Sequence, residues 1–442
     1  MRSMKRRFAP SRRAVLGGMG AGMVTLALGP RAIAQGANLD FWWWGEQELP
    51  GLQSFVQKAV ASFDGGNVSP LLQDTNAVIT QFQTAAAAKE APDIQYFWNG
   101  IYHMESVWLG YARPVSGLVA DAVVEASSPT VLSRYEGQTY RVGWYPIPMV
   151  WYYNKKVFEE AGLDPEAPPA TWPEFLAACE AIRGIGKMPF GGGIQDGYFG
   201  EWYLAHALVQ NLDSPAEALG LFTGGLDFRE PRYHEHWTRL AELRDGGFVN
   251  PSISSLELYP GIDLIVAGEV AMGPSIGTRL PADSAATKGG IGVMTMPVYG
   301  KGAMAGKPIL DVQGLGISAG SEHPELAARF LEHLHAPEQL ALFWEETGWL
   351  PSNTNFDASV IEDASVRDLW QRWGLSENIP HVANLTPGQF YEQAMVPIAQ
   401  RILAGEIGGE EAGEIAAGVV KEWRAFNPDL LESYETWAKD LS

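Results

Sequence analysis

The chain has 442 residues, with 31 basic and 52 acidic side chains and a formal net charge of −21. Seven of the basic residues and none of the acidic ones fall in the first 34 positions, so the remainder carries 24 against 52, a net charge of −28. A surface of that sign is repelled by phosphate backbones and anionic lipid, which sets aside nucleic acid and the membrane surface as partners.

The first 34 residues read as a secretory signal. Arg2, Lys5, Arg6, Arg7, Arg12 and Arg13 precede a short, glycine-rich apolar run, and Ala32-Ile33-Ala34 supplies an A-x-A cleavage site. The run is too short and too rich in glycine to span a bilayer. SRRAVL at Ser11–Leu16 fits the twin-arginine export signal. The glycines of GGMGAG follow no strand and satisfy no nucleotide-binding motif. The only cysteine, Cys179, excludes a disulfide and leaves no cysteine for a lipid anchor. In mid-helix it reads as a small buried hydrophobe. The expected product is a soluble, monomeric periplasmic protein of about 408 residues, long enough for two or three domains.

From there the pattern alternates. Asn38 to Trp44, Val68 to Leu72 and Pro92 to Trp98 read as strands, separated by helices over 49–63 and 78–88. That βαβαβ order predicts a parallel sheet with helices on both faces and ligands at the loops beyond the strands' carboxyl ends. A hairpin is expected over 134–144, turning at Glu136-Gly137, then a strand over 147–154 and a helix over 155–161. Thr171, followed by Pro173 and Glu174, reads as the N-cap of the next helix. Helices are predicted over 198–211, 234–245 and 258–267, with strands over 270–273, 291–296 and 311–317. The last quarter is largely helical, including 323–335, 337–346, 389–404 and 410–437. The fold class is α/β throughout, in more than one lobe.

Five segments, in order along the chain, resemble the extracellular solute-binding proteins of ABC importers, specifically the large sugar-binding family that includes maltose-binding proteins. They are WYYNKKVFEEAGLDPEAPPATWPEF at 151–175, IVAGEVAMGPSIG at 265–277, LDVQGLGISAGSEHPELAARFLEHL at 310–334, GWLPSN at 348–353 and AQRILAGEIGGEEAGEIA at 399–416. The resemblance implies two α/β lobes joined by crossing strands around a ligand cleft. The N-terminal lobe would comprise 36–147 plus 314–365, and the C-terminal lobe 148–313 plus 366–442. It implies no cofactor and no catalytic residues. The implied partners are a small carbohydrate and the membrane permease of the importer.

By the same resemblance the first strand delivers Trp44, Glu46 and Gln47 to the ligand, and the loop after the third strand Trp98, Asn99 and Tyr102. Trp144 and Tyr145 would lie just before the first crossing. IQDGYFGEW at 194–202 would supply Asp196 as a hydroxyl acceptor and Tyr198, Phe199 or Trp202 as platforms, and Tyr391 a late stacking ring. The chain departs from the family at GPSIGTRL, where Arg279 stands near the place of an expected tryptophan. That arginine makes an anionic group on the ligand thinkable, with a surface ion pair as the alternative.

These residue types suit a sugar for physical reasons. Aromatic faces accept the axial C–H groups of a pyranose while removing apolar surface from water at roughly 25 cal/mol per Å². Carboxylates and amides take the hydroxyls, each well-made charge-assisted bond contributing on the order of 1.5–3 kcal/mol. Sixteen tryptophans in one chain are more than a core requires. The H-x-H pairs at 234–236 and 333–335 lack partners for a metal set, Gly191-Gly192-Gly193 lacks the lysine of a phosphate loop, and no G-x-S-x-G occurs. The alternative function is a periplasmic carbohydrate-active enzyme using two of Glu46, Asp196 and Glu201 as its carboxylate pair.

Overall fold

The computed structural model describes residues 37–75, 77–127, 131–374 and 377–441. The signal over 1–34 lies outside the described residues. Among the described residues eleven strands are formed: β1 (Asn38–Trp43), β2 (Asn67–Leu72), β3 (Ile94–Phe97), β4 (Ala112–Arg113), β5 (Arg134–Tyr135), β6 (Gln138–Thr139), β7 (Val142–Asn154), β8 (Met188–Phe190), β9 (Val270–Ile276), β10 (Ile291–Met294) and β11 (Ile309–Ser318). Nine of them make one sheet in the order β2-β1-β3-β11-β7-β9-β8, with β4 on β11 and β10 on β7.

The opening third forms as its hydrophobic pattern predicts. β1 pairs in parallel with both β2 and β3, and helices Leu52–Ser62 and Val78–Ala88 make the crossovers. β5 and β6 form the hairpin, with Glu136 and Gly137 both at positive φ (51° and 72°), the conformation that matches a two-residue turn to strand twist. Its second arm ends early, because the chain leaves at Tyr140 to begin the long strand β7.

β7 and β11 connect the two halves of the sheet. Residues 142–149 of β7 pair with β11, and its later residues pair with β9 and β10. All 13 residues of β7 are buried. Its two prolines are tolerated because Pro146 and Pro148 pair only on the β11 side, before the β9 ladder begins at Met149.

The helix Trp172–Gly184 starts as its capping signal requires: the Glu174 carboxylate accepts from the N–H groups of Ala170 and Thr171, both at 3.0 Å. Cys179 lies in this helix, fully buried. The helix expected over 410–437 is two, Gly409–Phe426 and Pro428–Trp437. Pro428 cannot donate to the preceding turn and starts a new helix instead. The segment expected as a helix over 389–404 contains a π-helical turn at Tyr391–Met395 before Val396–Leu403.

Candidate ligand-binding cleft

A cavity of about 500 Å³ opens where the carboxyl ends of the first strands meet the crossing strands. Trp44, Gln47 and Glu48 reach it from beyond β1, Thr75 from beyond β2, and Trp98 and Tyr102 from beyond β3. Its floor is Ile147 and Met149 of β7 with Asp311 and Gln313 of β11. Each pair is spaced by two, so both members stand on one face of their strand. The opposite wall is built from Tyr198, Glu201 and Trp202, with Leu258, Tyr259 and Ile276 beside them, and His381 and Asn384 close one end.

Local sequence explains this convergence. Gly45 ends β1 at φ 128°, and a Cβ there would meet the Tyr145 hydroxyl at 2.5 Å and Leu52 at 2.9 Å. Only glycine lets the chain turn so tightly; the N–H groups of Glu48 and Leu49 both donate to its carbonyl, at 3.0 and 2.7 Å. Gly100, at φ 72°, brings the loop after β3 against Asn384, whose carbonyl oxygen lies 2.2 Å from where a Cβ would stand. In the helix Tyr198–Leu208, positions 198, 201 and 202 are one turn apart and share a face.

The aromatic rings form two banks. Trp44 meets Trp98 edge to face at 5.1 Å and Tyr96 at 5.4 Å, and Trp98 meets Tyr102 at 6.1 Å. Opposite, Trp202 meets Tyr259 at 6.4 Å. The Trp44 Nε1 donates to Thr75 Oγ1 at 2.8 Å, which fixes the indole's orientation. Tyr102 and Tyr198 stand exposed at the rim.

The charged groups between the banks are carboxylates. Burial and the neighbouring charge of Asp311 push the Glu48 carboxyl up to about 8. Burial also raises Glu201, opposed by His381 and by a hydrogen bond from Tyr391. Asp311 is held by the Asn384 amide at 3.3 Å and by the Val312 N–H at 2.9 Å. Tyr96 donates its hydroxyl to Gln313 Oε1 at 2.6 Å. Two polar atoms of lining residues, Glu48 Oε1 and His381 Nε2, are sealed from solvent without a hydrogen-bond partner. Among the described residues, no lysine or arginine lines the cavity.

Of the residues expected at the ligand, the structure brings together Trp44, Gln47, Trp98, Tyr102, Tyr198 and Trp202. The others serve the scaffold. Glu46 turns away and caps the helix Leu52–Ser62, accepting from the N–H groups of Gly51 (3.1 Å) and Gln53 (2.5 Å). Asn99 is buried and accepts from Arg141 at 2.6 Å. Trp144 is enclosed by Phe41, Trp43 and Tyr96, and Tyr145 lies fully buried beneath Gly45. Asp196 accepts from the Leu258 N–H at 3.1 Å, at the start of the helix Leu258–Val266. Phe199 is a core ring stacked on Tyr203. Arg279 is bound by Asp263 (2.6 Å) and Asp283 (3.1 Å) and sits over the Tyr259 ring. Tyr391 stands behind the wall, its hydroxyl directed to Glu201.

Sequence reasoning did not name Glu48, Thr75, Tyr259, Asp311, Gln313, His381 and Asn384 and weighed Glu201 only as an enzyme carboxylate, yet all eight line the cavity. A signal existed for two of them: Asp311 and Gln313 are polar positions spaced by two in an otherwise apolar strand, LDVQGLGIS.

A sheet threaded by two crossing strands, with an aromatic and carboxylate cavity against them, defines a two-lobed binding protein. Residues 45–341 match the sequence profile of bacterial extracellular solute-binding proteins, and the chain belongs to that family. It is 28% identical over 261 residues to the sn-glycerol-3-phosphate-binding periplasmic protein UgpB of Yersinia pestis, covering 55% of this chain and 57% of that relative's length. With UgpB of Salmonella typhimurium it shares 30% over 314 residues, 68% of this chain and 65% of the relative. A putative binding protein of Brucella abortus is 23% identical over 352 residues, 76% and 80% of the two chains. Among solved structures, a chitin oligosaccharide binding protein superposes with a TM-score of 0.71 at 20% identity, over 88% of this chain and 99% of that one. A solute-binding protein from Thermotoga lettingae bound with α-D-tagatose gives 0.66 at 22%, over 87% and 99%. Each of these relatives and neighbours is named as a binding protein, and the Thermotoga one as the solute-binding protein of an ABC transporter. Among the described residues no helix is long and apolar enough to cross a membrane.

Proposed function

We propose that this chain captures a carbohydrate in the cleft and delivers it to the membrane permease of an ABC importer. The observation that carries the reading is the pairing of two aromatic banks with hydroxyl acceptors at their junction: Trp44, Trp98, Trp202 and Tyr259 around Glu48, Glu201, Asp311 and Gln313. Rings bind the C–H faces of a pyranose and the acceptors take its hydroxyls. The names of two structural neighbours, with chitin oligosaccharide and tagatose, agree with this chemistry. A phosphate ester such as the one in the name of the Yersinia relative does not suit a cleft whose described lining has three carboxylates and no lysine or arginine.

The lobes proposed are 36–147 plus 314–365 and 148–313 plus 366–442, closing over the ligand at β7 and β11. The cavity's lining is drawn from both. Export by the twin-arginine route with processing near Ala34 belongs to the same proposal, and N-terminal mass spectrometry of the periplasmic product tests it.

Tryptophan fluorescence and thermal shift on the exported protein, refolded to strip carried-over ligand, test the main reading. The panel contains neutral mono- and oligosaccharides, amino sugars, uronic acids and polyols. A saturable change with one class and no turnover is expected. Silence across the carbohydrates overturns the proposal.

A further inference from the structure

We infer that the carbohydrate taken by this cleft carries a free ammonium group, as an amino sugar does, held between Glu48, Glu201 and Asp311 inside the aromatic banks. The inference rests on carbohydrate capture and narrows it to a charge class.

The first argument is charge. Three carboxylates face one cavity of about 500 Å³. Glu48 and Glu201 each feel the charge of Asp311, so the three share a site where like charges are costly. The arginines nearby are otherwise engaged. Arg141, fully buried, is tied to Phe97 O, Asn99 Oδ1 and Ser133 Oγ. Arg279 is bound by Asp263 and Asp283. His381, whose Nε2 has no hydrogen-bond partner, stands near Glu201 at the cleft. Glu48 relieves this crowding by holding a proton up to about pH 8; an entering ammonium would take that proton's place, whereas a neutral sugar leaves it bound.

The second argument is an unmet hydrogen bond. Glu48 is partly exposed as a residue, yet its Oε1 is sealed from solvent and has no partner. A buried carboxylate oxygen in that state calls for a donor. Neutral hydroxyls could supply a donor, but only an ammonium supplies three donors and the compensating charge together.

The third argument is the rings. An alkylammonium is attracted to the faces of tryptophan and tyrosine, and boxes of such rings are a recurring solution for cationic ligands. Trp44, Trp98, Tyr102, Tyr198, Trp202 and Tyr259 surround the carboxylates on two sides. Ion pairing and ring attraction therefore act on the same group.

Calorimetric titration of the exported, ligand-stripped protein at pH 7 tests this with four probes: glucosamine oligomers, their N-acetylated counterparts, the matching glucose oligomers, and spermidine as a sugar-free cation. The free-amine sugar is expected to bind at least tenfold more tightly than its neutral counterparts. That preference should collapse in Glu48→Gln and in Glu201→Gln, two variants on separate elements, each checked for cooperative thermal unfolding. Neutral oligomers binding as tightly as the amine would overturn the inference and leave carbohydrate capture standing. Spermidine binding with no sugar response would keep the charge class and remove the sugar. No response to any of the four probes would overturn both.

Discussion

Trp44 and Trp98 meet edge to face with 5.1 Å between ring centroids, at the ends of two strands paired in parallel. Trp44 is 6% exposed while Trp98 is only partly buried, so the two rings divide the work. Trp44→Ala is expected to cost about 3 kcal/mol of folding stability in a urea titration, the usual range for deleting a buried large ring. Trp98→Ala should cost less stability and weaken carbohydrate capture about tenfold, or about 1.4 kcal/mol. Wild-type affinity in Trp98→Ala would remove that ring from the site.

Gly45→Ala tests the turn that aims Glu48. The new Cβ meets the Tyr145 hydroxyl and forces φ 128° on an L residue. A loss of about 2 kcal/mol or more is expected, together with weaker capture. Adding Tyr145→Phe should recover only part of it, because the backbone conformation remains unfavourable. Full recovery would show the hydroxyl to be the sole obstacle.

The guanidinium of Arg141 is buried and donates to Ser133, Phe97 and Asn99 at 3.0, 2.9 and 2.6 Å. Arg141→Lys keeps the charge but lacks the planar fork, leaving buried acceptors unpaired; a cost of about 2–3 kcal/mol is expected. Asn99→Ala, measured alongside, should lower the melting temperature with the dissociation constant unchanged. A weakened dissociation constant in a well-folded Asn99→Ala would return Asn99 to the ligand.

Stability should peak near neutral pH. Burial lowers His206 and His236 to about 3 and His335 to about 4, from 6.5. A base whose folded pKa is depressed contributes stability above its unfolded pKa and loses it as pH falls, so the melting temperature should drop steadily between pH 6.5 and 4. Glu48 acts in the opposite sense. Its folded pKa of about 8 lies above the ordinary carboxyl value of 4.5, so its contribution is complete below about pH 4.5 and is lost as pH rises through 8. Ligand-free wild type should therefore lose more stability than Glu48→Gln between pH 5 and 9. Parallel profiles for the two would show that Glu48 titrates normally.

Strand β1 and its neighbours were legible because their apolar runs are bounded by polar and glycine-rich turns, and the two crossing strands because their segments resemble a family's. Which acid enters the cleft was not legible. Glu46 and Glu48 lie two residues apart, and the turn closed on the Gly45 carbonyl sends the second inward while the first caps a helix. Asp196 and Glu201 exchange roles in the same way: Asp196 meets the Leu258 N–H, whereas Glu201 shares a helix face with Tyr198. His381 and Asn384 come from an irregular stretch with a 3-10 turn over Val382–Leu385, where no periodicity marks a facing side. Trp144 and Tyr145 were expected at the hairpin's edge before the first crossing, but they lie inside the long strand β7, where both are buried.

The isolation of Cys179 has a practical consequence. Its thiol is fully buried in the helix Trp172–Gly184, and burial pushes its ionisation far above the usual thiol range. A thiol held neutral and covered does not react with maleimides at neutral pH. Any cysteine introduced at the cleft's rim, Tyr198 for example, would then be the one labelled position in the molecule. An environment-sensitive dye there would report cleft occupancy directly, without first removing a native residue.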